Sequence, residues 1–351
     1  MSSEPPSVPA AIQSRYQLVR SRFHGVVAGL YEGKDPTSGS PVLVRALPED
    51  AFASAAERQR ARREIQKLAQ VRHASIASVF DSGEEGGVLW YTRELVEGET
   101  LAERISRHGA LAHGEAAWVA MKLAGALAEL HRHGVQHRDL RPERVVLTRD
   151  GGVKLLDAAV GRVVRLADGR VIAGSPGYVS PEAITGRLVS FRSDLYALGA
   201  VLYEALVGKP TFPVADAARR VQMQTESDPP SPGATVPEPV TRFTMTLLAR
   251  EQRDRPFSAQ QVERQLEPFA VQPAATPEVE EPEESERTVA FDPGTPSATA
   301  TAPGATPYDD RADEAVTRVS TGLEMPGAST IVGMTAHTNK AHVVRAAKMS
   351  V

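Results

Sequence analysis

The chain has 351 residues, a formal net charge of −4, 41% hydrophobic residues and no cysteine. A sizeable core is therefore expected, whereas disulfides, thiolate metal sites and cysteine nucleophiles are excluded, and the charge balance does not point to nucleic acid or a membrane surface as the main partner. The opening MSSEPPSVPAA has neither the basic start nor the apolar stretch of a secretory signal. The most apolar runs are interrupted by Lys122 and Glu129, or by Asp194 and Glu204, so none reaches the ~20 apolar residues of a membrane span. A cytoplasmic protein is expected.

Composition divides the chain into three. Residues 1–15 are small, polar and proline-bearing and read as a disordered N-terminal tail. Residues 16–269 carry regular hydrophobic periodicity. Beyond 270 the chain turns to Pro, Thr, Ala and Glu, with an acidic run Glu278–Glu286. Such a segment buries too little apolar surface to offset its ordering entropy, so 270–351 is expected to be disordered.

The folded region opens with β-rich runs at 16–20, 26–33 and 41–47, separated by turn residues. A charged helix is predicted from Glu57 to Val71, with Ala61, Ile65 and Leu68 on one face. Short apolar runs follow at Ile76–Phe80 and Val88–Tyr91. Val119, Leu123, Leu127 and Leu130 then recur at helical spacing, and Gly134 stands where that helix should stop. Leu195–Val207 is apolar nearly all round, which predicts a helix at the centre of a lobe. Gly161–Ala173 reads as a β-hairpin around Asp168-Gly169.

Between these helices lies His137-Arg138-Asp139-Leu140-Arg141-Pro142-Glu143-Arg144, which resembles the protein-kinase catalytic loop H-R-D-L-x-x-x-N. Val153-Lys154-Leu155-Leu156-Asp157-Ala158-Ala159 resembles the strand and D-F-G element, and Gly174 through Pro181-Glu182 resembles the end of the activation segment. Asp194 through Gly199, and Arg250-Glu251 through Arg255-Pro256, resemble two later elements. In this order, after a small sheet with one helix, they identify residues 16–269 as similar to bacterial serine/threonine protein kinases. The implied fold is α+β and two-lobed, with a small β-rich N-lobe (16–95) and a larger helical C-lobe (96–269). The resemblance also implies that Glu182 pairs with Arg255, that Asp194 accepts hydrogen bonds from the catalytic-loop backbone, and that His137 and Arg138 brace that loop. His131 and His133 suit the end of a helix rather than a metal.

The resemblance places catalytic positions at Asp139 and Arg141, nucleotide-contacting positions at Gly25, Arg45, Glu64, Leu95 and Asp157, and the metal carboxylate at Asp157. Several parts depart from the family pattern. The three phosphate-loop glycine positions hold Phe23, Gly25 and Ala28, with Leu30 at the valine position. Arg45 replaces the lysine that pairs with Glu64; the pair is expected to persist, although a guanidinium differs in reach and shape. Leu43 stands where a small alanine lies over adenine, and is expected to fill space the base needs. Arg93 falls on the gatekeeper position and requires a partner, Glu64 or Asp157; the alternative is a one-residue shift that puts it in solvent. Arg144 replaces the asparagine that binds a second magnesium, and a guanidinium has no lone pair to offer a metal. Ala158 and Ala159 replace the phenylalanine and glycine of D-F-G, a loss of volume that Leu68 and its neighbours are expected to fill. The activation segment 160–180 contains no threonine; its serines are Ser175 and Ser180.

With these parts altered together, the expectation is a pseudokinase, a signalling or scaffold protein with little or no phosphotransfer and no cofactor. The alternative is an active serine/threonine protein kinase using ATP and Mg²⁺. Arg144 is expected to stand in for the metal by pairing with Asp157; the alternative leaves Arg144 in solvent and pairs Asp157 with Arg45. Protein partners are expected, with no nucleic acid. Thr288, and with it Thr317 or Thr330, is an expected phosphorylation site for a kinase acting in trans, read by a phosphothreonine-binding module.

Overall fold

The structure, a computed structural model, describes residues 10–24, 29–167 and 169–273. Its elements run α1 (Ala10–Arg15), β1 (Gln17–His24), β2 (Gly29–Lys34), β3 (Pro41–Leu47), α2 (Ala55–Leu68), β4 (Val79–Glu85) and β5 (Val88–Glu94). Then come β6 (Glu99–Thr100), α3 (Leu101–His108), α4 (His113–Arg132), β7 (Val145–Leu147), β8 (Val153–Leu155), β9 (Val163–Arg165) and β10 (Val171–Ala173). The last helices are α5 (Pro181–Ile184), α6 (Phe191–Val207), α7 (Ala217–Glu226), α8 (Glu238–Leu247) and α9 (Ala259–Leu266). This is the expected α+β fold with a small β-rich lobe and a larger helical one.

The small lobe is a five-stranded antiparallel sheet in the order β1-β2-β3-β5-β4. Alternation along a strand decides which residues meet. Arg45 lies opposite Tyr91 and Leu43 opposite Arg93, so Leu43, Arg45, Tyr91 and Arg93 share one face. That face continues through Leu47 and Leu89 into the core formed with Ala61, Ile65 and Leu68 of α2. Ser54 caps α2 by accepting from the Glu57 N–H at 3.2 Å, which ties down one of the orphan donors of its first turn.

The opposite face of the sheet carries Val42, Val44, Ala46 and Trp90, and here the N-terminus departs from expectation. Residues 10–15 are a helix, not a tail. Ile12 is fully buried among these side chains, Tyr16 shares a 3.2 Å hydrogen bond with the Thr92 hydroxyl, and Arg15 binds Asp81 at 2.7 Å. Burial of Ile12 and Tyr16 on this face, with the Arg15–Asp81 pair, orders a short segment that composition reads as loose.

In the large lobe α4 packs against α6 and α9. Its alanine-rich middle lets the neighbours approach, and it ends where predicted, at Gly134 with φ 69°. α6 is buried on all sides and stops at Gly208, whose φ of 76° is readily reached only without a Cβ. β9 and β10 form the predicted hairpin, with Val163 opposite Ala173; Asp168 of its turn lies outside the described residues. So do residues 274–351, and with them most of the expected disordered tail and Thr288, Thr317 and Thr330; the tail's first residues, 270–273, are instead placed, with the Val271 N–H donating to the Gly114 carbonyl at 2.9 Å. Among the described residues no helix is long and apolar enough to cross a membrane.

Candidate active site

The cleft between the lobes is built by four segments: β3, β5, the loop 133–144 after α4, and the turn after β8. The loop is held from below. Asp194, at the start of α6, accepts from the His137 N–H at 2.9 Å and the Arg138 N–H at 3.0 Å. Its other contact is the His131 ring at 2.8 Å. Burial raises the Asp194 carboxyl, yet these bonds hold it below its ordinary range. The His137 ring bonds the Leu156 carbonyl at 3.0 Å, coupling the loop to the turn that presents Asp157. Arg138, Asp157 and Ala159 take left-handed backbone angles, φ 71°, 57° and 73°, a region that strains any residue but glycine.

Asp157 is the centre of the site. Its Oδ2 accepts from Arg45 Nη1 at 2.5 Å and from Arg144 Nη1 at 2.6 Å. Its Oδ1 accepts from Arg93 Nε and from the Tyr91 hydroxyl, each at 2.9 Å. The Asp157 side chain is 2% exposed and that of Arg93 6%. Burial raises the Asp157 carboxyl, but Arg93, Arg45 and Arg144, with the Tyr91 hydroxyl, hold it well below the usual carboxylate range. Burial works against the cations too: with Arg45 and Arg141 crowding it, Arg144 is pushed down to about 10. Burial and the neighbouring Asp157 push Tyr91 up. A desolvated carboxylate needs such partners, since each buried ion left unpaired costs several kcal/mol.

The predicted Arg144–Asp157 ion pair is thus present; the alternative that left Arg144 in solvent fails, although the Arg45–Asp157 pair it named is formed as well. Arg93 is buried, and of its two candidate partners it takes Asp157, so the solvent-facing alternative fails. The expected Arg45–Glu64 pair is not formed. Glu64 is claimed by Arg138, at 2.9 Å and 3.3 Å, and lies 3.7 Å from Arg60. Arg45 reaches past it to the more buried carboxylate, and each acid keeps a counter-charge. Arg138 consequently braces the two lobes and not the loop alone.

Asp139 is 3% exposed. Its Oδ1 accepts from Ser175 Oγ at 2.7 Å, and its Oδ2 lies 3.4 Å from Arg141 Nε and 3.7 Å from Arg144 Nε, within ion-pair range. The catalytic-position residues are therefore together, with the activation segment seated on Asp139. Leu43 is 3% exposed, and Leu95 is half-buried in the connection between β5 and β6. Gly25 lies outside the described residues. Ala158, at the position of the missing phenylalanine, and Leu68 both belong to the main hydrophobic core.

Sequence reasoning missed Tyr91, the fourth ligand of Asp157. Strand parity could have found it: it stands two residues before Arg93 and therefore on the same face. It also missed the support beneath the substrate-facing loop. Gln224 of α7 accepts from the Gly177 N–H and donates to the Val179 carbonyl, both at 2.8 Å. Tyr178 donates to Glu204, whose carboxyl burial, with Glu143 nearby, pushes up to about 7. Glu182 and Arg255 form the expected buried pair, at 2.8 Å and 2.9 Å.

An octahedral Mg²⁺ site needs free oxygen lone pairs from carboxylate or amide side chains. Both Asp157 oxygens are taken by guanidinium groups, and Arg144 has none to give. Among the described residues no group of three or more acids and histidines is placed to hold a metal ion. The residues present do not fit the Mg²⁺ that ATP chemistry in this fold implies.

Comparison with known proteins agrees with the architecture. The family model described as protein kinase domain matches residues 23–266. A probable serine/threonine-protein kinase of Corynebacterium efficiens is 32% identical over 299 residues, covering 79% of this chain and 45% of its own length. The serine/threonine-protein kinase PrkC of Bacillus subtilis is 29% identical over 261 residues, covering 73% of this chain and 40% of its own. The crystal structure of the Mycobacterium tuberculosis PknI kinase domain superposes with a TM-score of 0.61 at 25% identity, covering 77% of this chain and 100% of that one. The chain spans less than half the length of these two curated relatives.

Proposed function

We infer the function from one premise: the chain belongs to the protein kinase domain family. We propose that it is a kinase-fold signalling or scaffold protein whose own nucleotide cleft is closed, that it works through protein partners, and that it performs little or no phosphotransfer. The observation that carries this reading is the Asp157 carboxylate, whose oxygens are occupied by Arg45, Arg93, Arg144 and Tyr91. Phosphoryl transfer is positioning and charge stabilisation. Here the charges that a metal would balance are balanced within the chain, and Leu43 is buried on the adenine side.

The test is thermal unfolding of the full chain with millimolar ATP, with and without Mg²⁺ or Mn²⁺. A ligand at a hundred times its dissociation constant stabilises a protein by ~2.7 kcal/mol. No shift is expected. A clear metal-dependent rise in Tm would reject the closed cleft.

A second reading has its own support. The relatives are named serine/threonine-protein kinases, and family membership favours ATP-dependent transfer to protein serine or threonine more directly than it favours an inert site. Asp139 and Asp157 are kept, and Asp139 holds Ser175 as an acceptor holds a hydroxyl. Under that reading Arg141 takes the place of the usual lysine beside Asp139, Glu64 and Leu95 border the nucleotide, and the arginines must release Asp157 before a metal enters. Phosphorylation of Thr288, Thr317 or Thr330 in trans is compatible with either reading. Mass spectrometry of the protein from its native cell tests it: phosphate at one of these threonines is expected, and unmodified threonines would reject it.

A further inference from the structure

A cavity of about 680 Å³ opens between α2, the loop after α4 and the 186–191 segment, away from Asp157. Its wall carries Arg60, Arg138 and Arg187 with Glu64 among them, and just outside the lining Glu251 lies 3.4 Å from Arg187. A fourth cation, Lys67, brings its ammonium to within 3.3 Å of the space a Cβ on Gly134 would fill. Arg60 is held by Glu57 at 3.0 Å and lies 3.7 Å from Glu64. One lip is apolar and exposed, with Leu188 86% and Phe191 40% accessible; the Phe191 ring is fixed in place by stacking on His131 at 4.5 Å. The site asks for an extended peptide with several carboxylates followed by apolar side chains.

The chain carries such a segment. Glu278–Glu286 holds six glutamates in nine residues, and Val289 and Phe291 follow after Arg287-Thr288. Its starting point is fixed, because the Val271 N–H donates to the Gly114 carbonyl at 2.9 Å, at the N-terminal end of α4. The cavity lies past the other end of that helix, at Gly134. α4 has 20 residues, about 30 Å at 1.5 Å each. An extended chain advances ~3.3 Å per residue, so the segment reaches the cavity near Glu281 and has the remaining glutamates and Phe291 to lay into it.

We propose that residues 281–291 dock in cis in this cavity, glutamates against the Arg60–Lys67–Arg138–Arg187 wall and Val289 and Phe291 against Leu188 and Phe191. Docked there, the segment bears on the Arg138–Glu64 pair that ties α2 to the catalytic loop, and so couples the tail to the relation between the lobes.

The absence of cysteine makes the test direct in the full chain. Nitroxide labels at Ser285→Cys and Arg132→Cys, the latter 70% exposed at the end of α4 beside the cavity, report the distance by pulsed electron resonance. A narrow distribution is expected at low salt. It should broaden when Glu281, Glu283 and Glu284 are changed to lysine. It should also broaden at ~1 M salt, where the screening length falls to about 3 Å. Pairing Glu283→Lys with Arg187→Glu should restore much of the narrow population that Glu283→Lys alone removes. A broad distribution at low salt, or a narrow one indifferent to these charges, overturns the proposal. A narrow distribution that vanishes on dilution assigns the docking to a second copy and also overturns it.

Discussion

Two buried carboxylates in this molecule are neutralised in different ways. Glu182 has a single guanidinium, Arg255, in a two-bond match, with Ser193 as a further donor at 2.6 Å. Asp157 has three guanidinium groups and a phenol. The first arrangement is self-sufficient: one charge meets one charge, and the pair pins the substrate-side segment to the base of the large lobe. The second is over-supplied. The three cations around Asp157 repel each other; the fold delivers them from β3, β5 and the catalytic loop at once, and Asp139, 3.7 Å from Arg144, is a second acid beside them. A one-to-one pair holds a frame, whereas a three-to-one cluster occupies a site.

Removing the central anion tests this contrast most strongly. Breaking a buried ion pair by deleting one partner typically costs ~3–5 kcal/mol. Asp157→Asn leaves three arginines facing each other and should fall at the top of that range in urea unfolding. Arg255→Ala leaves one acid unpaired and should fall lower within the same ~3–5 kcal/mol span. The reverse order would mean that the arginines around Asp157 relax into solvent, and the cluster would lose its special standing. Arg144→Asn removes one of three cations; a charged hydrogen bond is worth ~1.5–3 kcal/mol, and the mutual repulsion relieved should bring the loss to the low end. The same variant restores a metal-ligand side chain, so some Mg²⁺-dependent stabilisation is expected. Neither effect appearing would refute the substituted-charge account.

Acidity gives a subtler probe, at the loop that Glu182 helps to anchor. The Glu204 carboxyl is raised from 4.5 to about 7 in the folded protein. Between those values the native state holds a proton the unfolded chain has lost, so stability falls as pH rises through that window and is fully present below it. Glu204→Gln should flatten this slope in unfolding measured from pH 4.5 to 7.5. An unchanged slope would place the titrating group elsewhere. The smallest effect concerns the backbone beside Asp157. Ala159 sits at φ 73°, where a left-handed angle costs a non-glycine residue roughly 1–2 kcal/mol against about 0.5–1 kcal/mol of added unfolded-state entropy for glycine. Ala159→Gly should therefore raise stability slightly, and a Tm decrease would show that the Cβ is needed for packing.

How much of this was legible in the sequence follows from what each residue depends on. The catalytic loop, Asp194 and the Glu182–Arg255 pair were readable because the motifs that carry them resemble those of the family, and the large lobe's helices hold them where the resemblance implies. Arg93 was readable as a cation in need of a partner because it falls on the gatekeeper position of the family it resembles. Arg45 was misassigned because a long side chain chooses between two nearby carboxylates by competition, and the outcome depended on Arg138, 93 residues further on, having taken Glu64 first. The helix at Ala10–Arg15 was invisible because Ile12 is the one large apolar side chain in a short run of small and polar residues; its burial depends on the sheet face and the tyrosines it packs with.

That sheet face has an optical consequence. The chain has two tryptophans, and the fold places one in each lobe. Trp90 is 3% exposed, with the Arg15 guanidinium 5.9 Å from its ring centre; Trp118 is 5% exposed, with the Lys122 ammonium at 5.6 Å. Each indole thus has its own environment and its own covering cation, and the emission of a Trp118→Phe variant would come from the small lobe alone. Fraying of the N-terminal helix, which draws Arg15 and Ile12 off Trp90, would register there as a shift in colour while the large lobe stays dark.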